Sequence, residues 1–407
     1  MSGRPVFRSF AANIRLHRMD NKEEKACSCA LGRIFGFEPR IALALISHKG
    51  SAAEVFRAPV REIEDMLGPY SRYHGQITAA AVRAAEKELE ELEQTGIAFI
   101  SHTEDSYPAL LKECEDAPVG IYIRSGSPEN ELFPKRRFIS IVGTRDISPY
   151  GTEWCENIVE ALSGTRDKPV IVSGLALGTD ICAHRTAVEC GLSTIGVMAT
   201  GPEQIYPSRH YSFGQKIAGT PGCALVTDYP PGTAPLAVHF LRRNRIIAGM
   251  SEATILIESK AKGGGMMTAS LAFSYNRSVY ALPGRIDDPR SQGCNILIRN
   301  NTAAPIVDLD KFASELGLRK IPSSGSEKNS VIDLSAMYGE GYSTDSIGMM
   351  SAILMNIRRK RGITIEELAE CTGLRYQEVL KYTGILETDG LICTDLLQRC
   401  TINKSMK

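Results

Sequence analysis

The 407-residue chain predicts an α/β protein: a Rossmann-like core with a mostly parallel sheet, a small N-terminal helical domain and a C-terminal winged-helix domain. Three observations carry this. Between 138 and 309, seven compact apolar runs are each followed by a glycine turn and a helix-length segment, the pattern of a sheet covered on both faces. Residues 22–94 show helical periodicity only, and the last sixty residues give three helical segments followed by two short strands.

Taken in order, 1–95 forms the helical domain, of the SAM or helix-hairpin-helix kind, closed by the long charged helix "ITAAAVRAAEKELEELEQTG" that Gly96 ends. The extended core spans 96–318. It opens with two short strands around a helix in "GIAFISHTEDSYPALLKECEDAPVGIYIRSG", and continues through "FISIVG", "VIVSGLA", "STIGVMA", "CALVTDY", "ATILIES", "SVYALPG" and "PIVDL". Residues 319–347, rich in Ser and Gly with little periodicity, read as a linker. The winged helix takes 348–407, with Thr364 and Glu367 at the spacing of a capping box. Its helices and wing balance acids and bases, which suits a protein-contact or regulatory module at least as well as a duplex reader.

Lys plus Arg and Asp plus Glu both total 47, so net charge points to no nucleic acid or membrane and any cationic site must be local. No run approaches the roughly 18 apolar residues of a spanning helix, and a cytoplasmic location is expected. Arg4, Arg8, Arg15 and Arg18 precede the first acid, Asp20; the bias is that of a transit peptide or of a frayed basic arm, and the arm is the reading adopted. Eleven cysteines are scattered without C-x-x-C or zinc-finger spacing, so neither disulfides nor a metal is expected, and Cys182, Cys190, Cys223 and Cys294 read as reduced core residues.

Ligands of open parallel sheets bind beyond the carboxyl ends of the strands, where helix N-termini present unpaired N–H groups. Gly143-Thr144-Arg145, Ser173-Gly174 and Gly263-Gly264-Gly265 with Met266, Met267 and Thr268, preceded by Lys260 and Lys262, have the composition to hold phosphate there. No G-x-G-x-x-G follows the first core strand and no Gly-Lys-Ser/Thr closes a P-loop, which argues against a dinucleotide enzyme or NTPase. In "FLRRNRIIAG", Arg242 and Arg245 share a helix face while Arg243 diverges, so the cluster is either a solvated face or a grip on a run of phosphates. Asp180 and His184 lie one turn apart and could form a metal pair or an acid-oriented base, or else cap and pack; the capping and packing reading is preferred. The tyrosines of "YPSRH" and "YPPGTAP" read as packing groups, so backbone contacts are expected to outweigh base stacking.

In this order, "IVGTRDISPYG", "VSGLALGTDICAH", "IYPSRH", "YPPGTAP", "FLRRNRIIAGMS", "GGGMMTASLA" and "VYALPGRIDDPRSQGCNILI" closely resemble the DNA-processing protein A (DprA, or Smf) family. The resemblance implies a non-catalytic protein without cofactor. It implies binding of single-stranded DNA through the Rossmann-like core, a homodimer formed through that core, and help in loading RecA recombinase during natural transformation. It places DNA on Gly143, Thr144, Arg145, Ser173, Gly174, Arg243, Asn244, Arg245, Lys262, Gly264, Met266 and Thr268. Departures from the family pattern are Leu241 for Pro, Thr144 for Ser, Thr179 for Ile, Gly263 for Ser, Asn276 for Gly, and Asn301-Thr302 for Gly-Ala, the last leaving that turn's geometry open. The rival is a nucleotide sensor or nucleoside-phosphate hydrolase, for which Asp180, His184 and Glu258 are the available acids and bases.

Overall fold

A computed structural model describes residues 22–319, 334–339, 341–360, 362–395 and 397–402, so the basic arm and much of the expected linker fall outside the described residues. The chain divides into two compact units, one up to residue 321 and one from 322 on.

The first unit begins with five helices: α1 (22–35), α2 (Pro39–Lys49), α3 (Ala52–Arg57), α4 (Val60–Leu67) and α5 (Ala79–Gln94). Ser51 and Thr78 cap α3 and α5 by accepting the Glu54 and Ala81 N–H groups, and Gly96 takes the left-handed conformation just past the end of α5. These helices are not the separate domain expected for 1–95. Cys29 and Ala30 of α1 and Ala85 and Leu92 of α5 share a core with Ile97 and Phe99 of β1 (Ile97–Ser101) and Tyr122 of β2 (Gly120–Arg124). Helical periodicity shows that an apolar face must be covered; it does not show that a strand thirty residues on covers it.

Between β1 and β2 lies the short helix α6 (Ala109–Lys112), and α7 (Glu129–Leu132) follows β2. The core then alternates β3 (Phe138–Val142), α8 (Pro149–Ser163), β4 (Val170–Ser173), α9 (Thr179–Glu189), β5 (Thr194–Val197), α10 (Tyr211–Gly219), β6 (Ala224–Thr227) and α11 (Ala237–Met250). It continues with β7 (Ala253–Leu256), α12 (Gly264–Ser274), β8 (Ser278–Ala281), α13 (Gln292–Arg299), β9 (Ala304–Pro305) and α14 (Leu309–Glu315). Each of the seven apolar runs contributes a strand, the last only through Pro305 of β9. They form one nine-stranded sheet in the order β1-β2-β6-β5-β4-β3-β7-β8-β9, parallel from β6 to β9 with antiparallel β1 and β2 at the edge.

The continuous apolar runs follow from burial on both faces. Ile139 and Ile141 of β3 face Cys155, Ile158 and Leu162 of α8 and Phe312 of α14, whereas Phe138 and Val142 face Ile246 and Ile247 of α11 and Ala269 and Ala272 of α12. The exception, Ser140, hydrogen-bonds Thr254 of β7 across the sheet at 2.7 Å. Two departures in the chain fit without strain: Asn276 and Asn301 adopt φ of 57° and 55°, so the turn left open near 301 is a left-handed asparagine. Leu241 lies in the second turn of α11, which starts at Ala237.

The second unit contains α15 (Leu334–Tyr338), α16 (Thr344–Arg359), β10 (Ile363–Thr364), α17 (Ile365–Thr372), α18 (Tyr376–Thr388), β11 (Ile392–Thr394) and β12 (Arg399–Ile402). The strands form a small antiparallel sheet in the order β10-β12-β11, giving the element order of a winged helix. The Thr364–Glu367 capping box is present at α17. The expected linker is too long: Leu334 and Tyr338 of α15 are buried with Ile353, Ile357 and Leu386 in this unit's core. Among the described residues no helix is long and apolar enough to cross a membrane, and the cysteines form no disulfide.

Candidate nucleic-acid interface

From β3 the chain builds β4, β5 and β6 on one side, then crosses to place β7 on the other. The carboxyl ends of β3 and β7 are therefore the point where the winding reverses, which is where open α/β sheets leave a crevice. Two of the predicted turns meet there. A Cβ on Gly265 would lie 3.2 Å from Gly143 Cα and 2.6 Å from Leu256 Cδ1, and one on Gly143 would lie 2.4 Å from Thr179 Oγ1. Glycine at both positions is what lets the turns close on each other.

The Thr144 carbonyl accepts the Thr179 N–H at 3.1 Å and its hydroxyl at 3.2 Å, while Thr144 Oγ1 accepts the Asp146 N–H at 3.2 Å. These bonds fix the turn from both ends. Arg145 is exposed, with its guanidinium carbon 5.4 Å above the Phe240 ring, and Phe240 packs 5.4 Å from Tyr206. Lys262, just before α12, and Gly264, its first residue, are exposed; Met266 is half-buried and Thr268 buried. No acid lies in the first turn of α12.

The remaining predicted contacts are turned inward. Ser173 is buried and donates its hydroxyl to the Ile141 carbonyl at 2.6 Å. Gly174 sits against Arg243, where a Cβ would fall 2.3 Å from Nη2. Arg243 is buried, donates to the carbonyls of Gly174 at 2.8 Å and of Val197, and its Nε reaches Asn244 Oδ1 at 3.4 Å. Burial pulls its guanidinium down to about 10, against the pull of Asp180. Arg245 is buried in an ion pair with Asp228 and donates to the Asp116 carbonyl. Arg242 donates to the Gly36 carbonyl and stacks 4.2 Å over Phe37. The arginine run is thus neither a solvated face nor three free phosphate ligands. Each of its three cations holds α11 to a different part of the unit.

The acids and bases available to the rival reading are also buried. Asp180 Oδ2 accepts the N–H groups of Gly174 at 3.1 Å and Ala176 at 3.3 Å, and burial raises its carboxyl pKa. His184 shares a hydrogen bond with Thr194 Oγ1 at 2.6 Å; burial, reinforced by Arg243 and His210, pushes its imidazole down to about 3. Glu258 is buried and accepts the Ser148 N–H at 2.9 Å and hydroxyl at 2.5 Å.

Sequence reasoning passed over two features of this edge. Phe240 lies beside the arginine run and Tyr206 in "IYPSRH", 34 residues apart in sequence; Arg145 lies over Phe240, which packs on Tyr206, and this supplies an aromatic surface that the turns themselves lack. Tyr206 is 44% exposed, more than a packing group requires. Only the position of Phe240, two residues before the first arginine of the run, could have signalled this.

A family model described as DNA recombination-mediator protein A matches residues 77–317. The chain is 30% identical over 330 residues to a putative DNA processing protein DprA of Mycobacterium tuberculosis, covering 77% of this chain and 79% of that one. It is 37% identical over 196 residues to DNA processing protein DprA of Streptococcus pneumoniae, 48% of this chain and 66% of that protein. With protein Smf of Synechocystis it shares 33% identity over 240 residues, 59% of each chain. The match thus spans about three fifths of the Synechocystis protein's length. The X-ray structure of DNA processing protein A from Streptococcus pneumoniae superposes with a TM-score of 0.58 at 28% identity, covering 72% of this chain and 96% of that one.

Proposed function

Given that this chain belongs to the DNA recombination-mediator protein A family, we propose that it binds single-stranded DNA at the edge where β3 and β7 end, and acts without catalysis as a recombination mediator. The observation that carries the reading is the shelf made by the abutting Gly143–Arg145 and Gly263–Gly265 turns, with the exposed Arg145 guanidinium lying over Phe240, which in turn packs on Tyr206. Arg145 suits a phosphate, α12 offers N–H groups without a competing acid, and Tyr206 and Phe240 suit a base face. Asp180, His184 and Glu258 are committed to internal hydrogen bonds, which supports binding rather than hydrolysis. Loading of RecA recombinase, protection of incoming DNA in natural transformation and dimerisation through the core complete the proposal.

The test is fluorescence anisotropy with labelled oligo-dT, the matching duplex and a free mononucleotide, repeated across salt. The single strand is expected to bind best and to weaken as salt rises. Arg145→Ala is expected to lower affinity and to flatten the log K against log salt slope by about 0.7, one phosphate's share for a single strand. Equal or tighter binding of the mononucleotide would overturn the reading.

A further inference from the structure

We propose that Glu258 determines specificity by occupying, with its own carboxylate, the place at the start of α8 where a Rossmann-like fold receives a nucleotide phosphate. The proposal rests on the strand-binding reading in that it explains why a mononucleotide is not the ligand.

In such folds the helix after the first parallel strand presents its N-terminal N–H groups to a phosphate, and glycines there allow close approach. Here that helix is α8, reached from β3 through Gly143 and entered at Ser148 and Gly151. Glu258 arrives from the neighbouring strand, two residues past the end of β7, and is 1% exposed. Its two oxygens accept the Ser148 N–H and hydroxyl, while Ser148 Oγ accepts the Gly151 N–H at 3.0 Å. A Cβ on Gly151 would lie 2.6 Å from both the carboxyl carbon and Oε2 of Glu258, and one on Gly143 would lie 3.0 Å from the Glu258 carbonyl oxygen. Both glycines of "GTRDISPYG" therefore close on one glutamate. A phosphate brought there would meet filled space and a like charge. After β4, Asp180 in the first turn of α9 turns back to take the N–H groups of Gly174 and Ala176 in the loop that precedes the helix. The start of α12 differs: its first turn lacks an acid and Gly264 is exposed. The edge thereby keeps its outer anion-holding turn for a strand and shuts the inner one that would hold a nucleotide.

The test is chemical rescue, read as the melting of the full chain in inorganic phosphate against chloride at matched ionic strength. Phosphate stabilises proteins generally, so wild type sets the baseline response. Glu258→Ala is expected to melt below wild type in chloride and to gain about 2–4 °C more than wild type does on changing to phosphate. Glu258→Gln refills the space and is expected to respond as wild type does. If Glu258→Ala is unfolded in chloride, recovery of its far-UV circular dichroism in phosphate is the readout. The proposal is overturned if Glu258→Ala gains no more than wild type, if it stays unfolded in phosphate, or if Glu258→Gln gains as much as Glu258→Ala. Oligo-dT binding by wild type, measured alongside, reports on the strand-binding reading separately: its absence would remove that reading and leave the rescue result standing.

Discussion

Arg145 and Arg243 both border the carboxyl ends of the strands, but one is exposed and the other buried against two backbone carbonyls. Counterion release requires a cation that meets phosphate at the surface, so loss of Arg145 should change the salt dependence of binding. Phe240 contributes without charge. Phe240→Ala is expected to weaken oligo-dT binding by about 1–3 kcal/mol, one stacked base, with the salt slope unchanged in the same anisotropy titrations. His184 offers a test of the core beneath the site. Unfolded, its imidazole takes a proton near pH 6.5; folded, it resists until about 3. Between these values the unfolded chain binds more protons, so this residue's contribution is full above 6.5 and lost as pH falls. At pH 5 the loss is about 2 kcal/mol relative to pH 8, and His184→Gln should flatten that part of the denaturant-measured stability profile. Asp180, with its carboxyl pKa raised by burial, works in the opposite sense, which is why the comparison is made against the variant rather than against an absolute curve.

At the scale of elements, α11 is held by its arginines. Arg242 ties it to Gly36 and Phe37 between α1 and α2, Arg243 to the ends of β4 and β5, and Arg245 to Asp228 after β6 and to Asp116 before β2. Arg245→Ala strands the Asp228 carboxylate in a buried site and is expected to cost about 3–5 kcal/mol in urea unfolding, whereas replacing both residues by apolar ones should cost much less. The sequence showed the three cations and their helical spacing, and it located every strand of the core, because burial on both faces writes itself as unbroken apolar runs. It did not show that the cations point inward, since Asp116, Asp228 and the carbonyls they meet lie 17 to 206 residues away. For the same reason the turns Gly143–Arg145 and Gly263–Gly265 were legible from their own composition, while the contact of Phe240 with Tyr206 and that of Glu258 with Ser148 became visible only when distant segments met.

For the molecule as a whole, the position of β3 in the sheet has a consequence in time. Its partner β4 follows it closely, but its other partner, β7, begins only at Ala253, about 110 residues after β3. At a synthesis rate of about 5–20 residues per second, one edge of this inner strand waits roughly 6–20 s for its neighbour. Glu258 is made in the same late stretch, so a growing chain carries an α8 whose first turn has not yet received its carboxylate. Chains ending at residue 250 are accordingly expected to be cut by protease within 138–163 far faster than chains ending at 319. The edge proposed to hold the strand is thus among the last parts of the core to be completed during synthesis.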